Sequence, residues 1–182
     1  MKNYYLTCLY HGCSLITEIR MSSKKDYKKL DISLASLPKQ SRGCYILIIE
    51  LKENLRLAAG RLPIQLFPQG TYLYVGRAKN NLAARLRRHL KKNKKLFWHI
   101  DYLLEQAEIK EIWVKDSYLD ECQLVRNIKE IASRSSFPLK KFGSSDCHCL
   151  SHLIYLSENP DKLSLLRNKL SLQRINFNEN QV

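Results

Sequence analysis

Tyr74-Val75-Gly76-Arg77-Ala78-Lys79-Asn80-Asn81-Leu82-Ala83-Ala84-Arg85-Leu86-Arg87-Arg88-His89 changes its periodicity partway along. Residues 71–75 read as a strand, whereas from residue 81 onward Leu82, Leu86 and Leu90 recur at helical spacing. Arg85 and His89 each precede a member of that stripe by one residue, so they share a neighbouring line that borders the core while facing outward. A strand that runs through a short turn into a helix lets backbone and polar side chains converge, and such a site suits a phosphate.

A second motif, Gly43-Cys44-Tyr45, opens another strand at residues 44–51. Cys44, Ile46 and Ile48 alternate there with Tyr45, Leu47 and Ile49, so both faces are apolar, as in a central strand covered twice. Lys52-Glu53-Asn54 forms a turn, residues 55–58 a short strand, and residues 60–70 a loop holding Pro63 and Pro68. Phe97, Ile100, Leu103 and Leu104 mark a second helix, and Ile112 and Val114 alternate with Glu111, Trp113 and Lys115 in a further strand. A third helix spans residues 119–132 and is stopped by Phe137-Pro138; residues 151–156 read as an edge strand before a final helix at 160–172 and a disordered end. The expectation is an α+β fold, a small central antiparallel sheet flanked by helices. Its divisions are an N-terminal appendage at 1–38, the main domain at 39–158 and a C-terminal helix and tail at 159–182. Met21 is an alternative to Met1 as the start.

Length and hydrophobic content, 182 residues and 45%, allow one core with tails rather than two domains. The formal net charge of +14 exceeds what solubility needs and favours a polyanion, because cations that neutralise phosphates release condensed counterions. Nine cations fall between Arg77 and Lys95 with no acid among them; Arg77, Lys79, Arg87, Arg88, Lys91 and Lys92 form the expected stripe along a DNA backbone, with RNA as the alternative. The six cysteines are irregularly scattered and no secretory pattern is present, so a disulfide framework is not expected and the compartment is read as reducing and cytoplasmic. The apolar opening at residues 4–10 is too short to span a bilayer, and no membrane partner is expected.

The two tyrosine motifs with the segment running to His89 resemble the GIY-YIG nuclease family. Trp98-His99-Ile100-Asp101-Tyr102, Glu121-Cys122 and the run from Phe142 to Leu153 extend the likeness over roughly residues 36–158, toward a branch found alone or appended to base-excision repair glycosylases. The resemblance implies a GIY-YIG-like domain acting as a metal-dependent endonuclease that hydrolyses phosphodiester bonds in DNA, in repair, with a repair protein as partner. It implies that Glu121 holds a divalent cation, Mg2+ or Mn2+, that Arg85 stabilises the transition state, and that Tyr45 deprotonates or orients the attacking water. Tyr74 and His89 then position phosphate or water.

The residues themselves leave alternatives. Glu121 falls in line with Val125 and Ile128 and leans inward, while Ser117 and Asp120 match a capping box; Glu111 and Asp101 are the other carboxylates that could serve. Trp98 and His99 read as packing residues before a stacking surface. Cys147, His148, Cys149 and His152 suggest a soft-metal cluster, yet only Cys147, Cys149 and His152 are clear ligands, one short of a structural set, and buried small residues are preferred. Arg77 stands where the family commonly has a small residue, and Arg85 comes one residue late. The rival reading is accordingly a non-cleaving nucleic-acid-binding module of the same fold.

Overall fold

The computed structural model describes residues 32–115, 120–132, 135–136, 139–156 and 161–177. In chain order these form β1 (Ile32–Ser33), a 3-10 turn, β2 (Gly43–Leu51), β3 (Leu55–Leu57), β4 (Gln65–Phe67), β5 (Gly70–Ala78), α1 (Leu82–Leu90), α2 (His99–Leu103) and β6 (Glu108–Lys115). The chain continues through α3 (Glu121–Ile131), β7 (Ser135–Ser136), β8 (Leu153–Leu156), α4 (Asp161–Lys169) and β9 (Gln173–Asn176). Seven strands make one sheet in the order β1-β9-β6-β2-β5-β8-β7, antiparallel throughout except for the parallel β1–β9 pair.

The alternation in β2 divides the core. Tyr45, Leu47 and Ile49 pack with Leu82 and Leu86 of α1 and with Ile100 and Leu103 of α2. On the other face, Cys44, Ile46 and Ile48 pack with Leu124, Val125 and Ile128 of α3 and Leu166 of α4. The fold is therefore α+β, a mixed sheet flanked by helices, and β2 is the twice-covered central strand that its sequence implies. Asn81 caps α1 from the left-handed region, φ 48°, its side chain accepting from Ala84 N–H at 3.0 Å. Asparagine tolerates that conformation better than most residues. Arg87, Arg88 and His89 close the helix, their charge or dipole matched to its C-terminal end.

The sheet is larger than the small antiparallel one expected, and it draws in residues on both sides of 39–158. β9 lies where a disordered end was expected; it has four residues and one buried apolar side chain, Ile175, too little to show a period. β8 is an inner strand rather than an edge, since β7 pairs outside it. Residues 65–67, expected in a loop, pair with β3 as a separate two-stranded ribbon. Residues 1–31, which contain Met21 and most of the N-terminal appendage, lie outside the described residues, as do Phe137-Pro138 and residues 178–182.

Gly76 faces Tyr45 directly across the β2–β5 ladder, and the Tyr45 ring crosses over it. A Cβ at Gly76 would overlap the Tyr45 ring carbons and hydroxyl, so this position must be glycine for steric rather than conformational reasons. The Gly76→Ala variant is expected to lose about 1–3 kcal/mol of stability in urea unfolding through overpacking. A midpoint equal to that of the parent would show that the ring does not lie there.

Candidate active site

Packing α1 against β2 brings three of the expected residues into contact. Arg85 Nε donates to the Tyr45 hydroxyl at 2.9 Å, and that hydroxyl lies 2.7 Å from His89 Nε2. His89 is buried, 2% exposed, and so does not face outward as its spacing suggested. Burial, reinforced by the positive charges of Arg85 and Lys94, pulls its pKa down to about 3, which keeps the ring neutral. Burial pushes the Tyr45 phenol up to about 12, against the opposing pull of Arg85. The proton therefore stays on the phenol, which donates to His89 Nε2 and places the imidazole proton on Nδ1, a buried atom with no protein partner.

Tyr74, from β5, meets His89 and Phe142 edge-on, with centroids 6.1 and 6.4 Å away. Burial raises its phenol well above the ordinary range. Gly143 turns the backbone beside it at φ +70°, where a Cβ would come within 2.8 Å of the Tyr74 ring.

Glu121 arrives from the opposite face of the sheet. Asp120 is the helix cap, accepting from Gln123 N–H at 2.6 Å, and leaves Glu121 uncommitted in the first turn; Ser117, expected to share that cap, lies outside the described residues. Oε2 of Glu121 is buried without a hydrogen bond, and the guanidinium of Arg77 stands 3.9 Å away, outside bonding range. Groups from the two faces line one cleft at the end of β5. A cleft of about 600 Å3 there is lined by Tyr74, Gly76, Arg77, Lys79, Arg85, Trp98, Glu121 and Asp146, among others.

The other two carboxylates are engaged elsewhere. Asp101 is fully buried, takes both guanidinium nitrogens of Arg88 at 2.9 and 2.8 Å, and accepts from the Phe97 and Trp98 amides at 3.0 and 2.9 Å. Burial alone would raise its carboxyl, but those bonds outweigh it and hold the pKa below the usual range. Glu111 accepts from Trp113 Nε1 at 2.7 Å and pairs with Arg174 at 3.6 Å. Arg88, expected on the DNA stripe, is thus an internal brace, whereas Lys79, Arg87, Lys91 and Lys92 are exposed.

The family described as Domain of unknown function DUF123 matches residues 44–174, which span every group named above. The chain belongs to the DUF123 family. No curated protein and no solved structure matches it. Among the described residues, no helix of this DUF123 chain is long and apolar enough to cross a membrane.

Two features of the DUF123 chain escape a reading of its spacing. Phe97, read as part of a helical stripe, precedes α2 and stands 75% exposed on the cleft, while Trp98 packs under Arg85 and Arg88 at 4.4 and 4.0 Å. Cys147 and Cys149 lie in a turn rather than a strand, and they meet His152 and Cys122, whose ligand atoms all lie within 4.8 Å of one another. Cys122 was not counted as a ligand, although it adjoins Glu121 and sits in the α3 turn that faces this loop.

The His89 ring is expected to give constant NMR shifts between about pH 4 and 8, because its folded pKa is about 3. The unfolded chain, whose histidine titrates near 6.5, binds the extra proton first, so this group makes stability fall as pH drops from about 6.5 toward 3. A His89 midpoint near neutrality would contradict the buried arrangement.

Proposed function

We propose that this chain is a GIY-YIG-type metal-dependent endonuclease that hydrolyses phosphodiester bonds in DNA, acting in repair in the cytoplasm. The observation that carries the reading is one cleft lined by both Arg85 and Glu121, whose carboxylate holds a buried oxygen with no hydrogen bond. A hard carboxylate with an orphaned oxygen, on a residue that lines the cleft, fits a hard divalent cation such as Mg2+ or Mn2+, which takes one or two carboxylates and fills its remaining positions from water and phosphate. Such an ion, when bound, neutralises non-bridging oxygens and sharpens a water as nucleophile.

The chain's own groups supply the rest. Arg85 spends Nε on Tyr45, and its plane lies over Trp98, so its remaining N–H groups are held ready to grip two phosphate oxygens as charge builds. Tyr45 can accept a proton only as it passes its own on, and His89 Nε2 at 2.7 Å is the acceptor in place. Tyr74 walls the cleft beside the reacting group. Lys79, Arg87, Lys91 and Lys92 track the backbone, and exposed Phe97 offers a face on which an unpaired base can stack. The resemblance adds a repair protein as partner.

The second reading, a binding module that does not cut, draws support from Arg77, a resident cation 3.9 Å from Glu121 that could take the place of a metal ion. Supercoiled plasmid incubated with Mg2+ or Mn2+ separates the two. Nicking is expected, falling at least about 100-fold in Glu121→Ala and Arg85→Ala while salt-sensitive binding persists. Binding without any cut by the intact protein selects the module, and cutting of RNA in preference to DNA overturns the substrate assignment.

A further inference from the structure

We propose that Cys122, Cys147, Cys149 and His152 form a four-ligand structural zinc site that clamps the first turn of α3 to the loop preceding β8. The proposal goes beyond the hydrolysis reading and uses none of its groups. The four donor atoms lie within 4.8 Å of one another, with His152 Nε2 at 3.4 Å from Cys147 Sγ and 3.8 Å from Cys122 Sγ. Bond lengths of about 2.3 Å to sulfur and 2.0–2.1 Å to nitrogen put tetrahedral ligands about 3.6–3.8 Å apart, so the observed separations bracket a single zinc ion. Sulfur and imidazole donors select a soft or borderline metal over the hard cation suited to Glu121. The three thiols are free.

The surrounding backbone is already set. His152 N–H donates to Phe142 O at 2.8 Å and its carbonyl accepts from Val75 N–H at 2.9 Å, which fixes the imidazole between β5 and the loop. Lys141 Nζ donates to Cys147 O at 2.8 Å, and the Cys147 thiol lies 3.8 Å from Ser144 O. Residues 139–152 contain no helix or strand, and a loop of that length inside a compact domain calls for a constraint of its own. Three thiolates with one Zn2+ leave a single negative charge. Four protein ligands leave no open position, which makes the site structural; by fixing Cys122 it also fixes the backbone of its neighbour Glu121.

The test uses the full chain produced with zinc in the medium, dialysed, and analysed for metal. About one zinc per folded chain is expected, lost in Cys147→Ser and Cys149→Ser and retained in Cys149→His, which keeps a ligand. Independently of variant folding, the parent protein should protect Cys122, Cys147 and Cys149 from alkylation until a strong chelator is added, with cobalt substitution giving the intense visible bands of a tetrahedral thiolate site. A folded parent that holds no zinc, a disulfide among these cysteines, or undiminished zinc in Cys147→Ser would each overturn the proposal. Metal content and plasmid cutting report on different residues, so either can fail alone.

Discussion

The hydroxyl of Tyr45 is the point on which the arrangement turns. It is buried on the central strand, and the two groups it meets both come from the helix packed above it, Arg85 donating to it at 2.9 Å and His89 Nε2 accepting from it at 2.7 Å. A buried phenol left without partners costs about 1–3 kcal/mol, so the contact fixes how α1 seats on β2 as much as it orients the guanidinium. It also dictates glycine at residue 76, because the ring reaches its partners by crossing that position. Beside Gly76, at the end of β5, Glu121 from the opposite layer lines the same cleft as Arg85. One packing constraint therefore accounts for the tyrosine, the glycine, the arginine and the histidine.

A second frame holds the rim. Asp101 gathers Arg88 and the amides of Phe97 and Trp98, which sets Trp98 as a platform beneath Arg85 and leaves Phe97 exposed at the cleft. Lys94, largely buried, donates to the carbonyls of Arg88 and His89 at 3.2 and 2.8 Å and finishes the end of α1. Part of the basic run thus belongs to architecture, and the share open to a polyanion is smaller than its charge count suggests.

The doubly apolar alternation of residues 44–51 made the central strand legible, and the leucine stripe made α1 legible, because each carries its period over more than two repeats. Strands of two to four residues, such as β1, β4 and β9, carry no such period; pairing partners define them. Spacing placed Arg85 and His89 on one line of the helix, yet missed that His89 is buried, because a line bordering the stripe turns inward once a bulky tyrosine draws it across. Glu121 was legible only as an inward-leaning carboxylate; its company depends on two layers lining one cleft at the end of β5. The Cys/His cluster was legible to three members, and the fourth lies on a separate helix, a relation set by tertiary structure alone.

The central proposal is that Glu121 holds a divalent cation in the cleft it lines together with Arg85. Titrating Mn2+ into zinc-loaded, isotope-labelled protein tests this through paramagnetic broadening of amide signals. The account predicts broadening centred on Gly76, Arg77 and Glu121 that disappears in Glu121→Ala. Broadening centred on distant carboxylates such as Glu108, or unchanged in that variant, would contradict it.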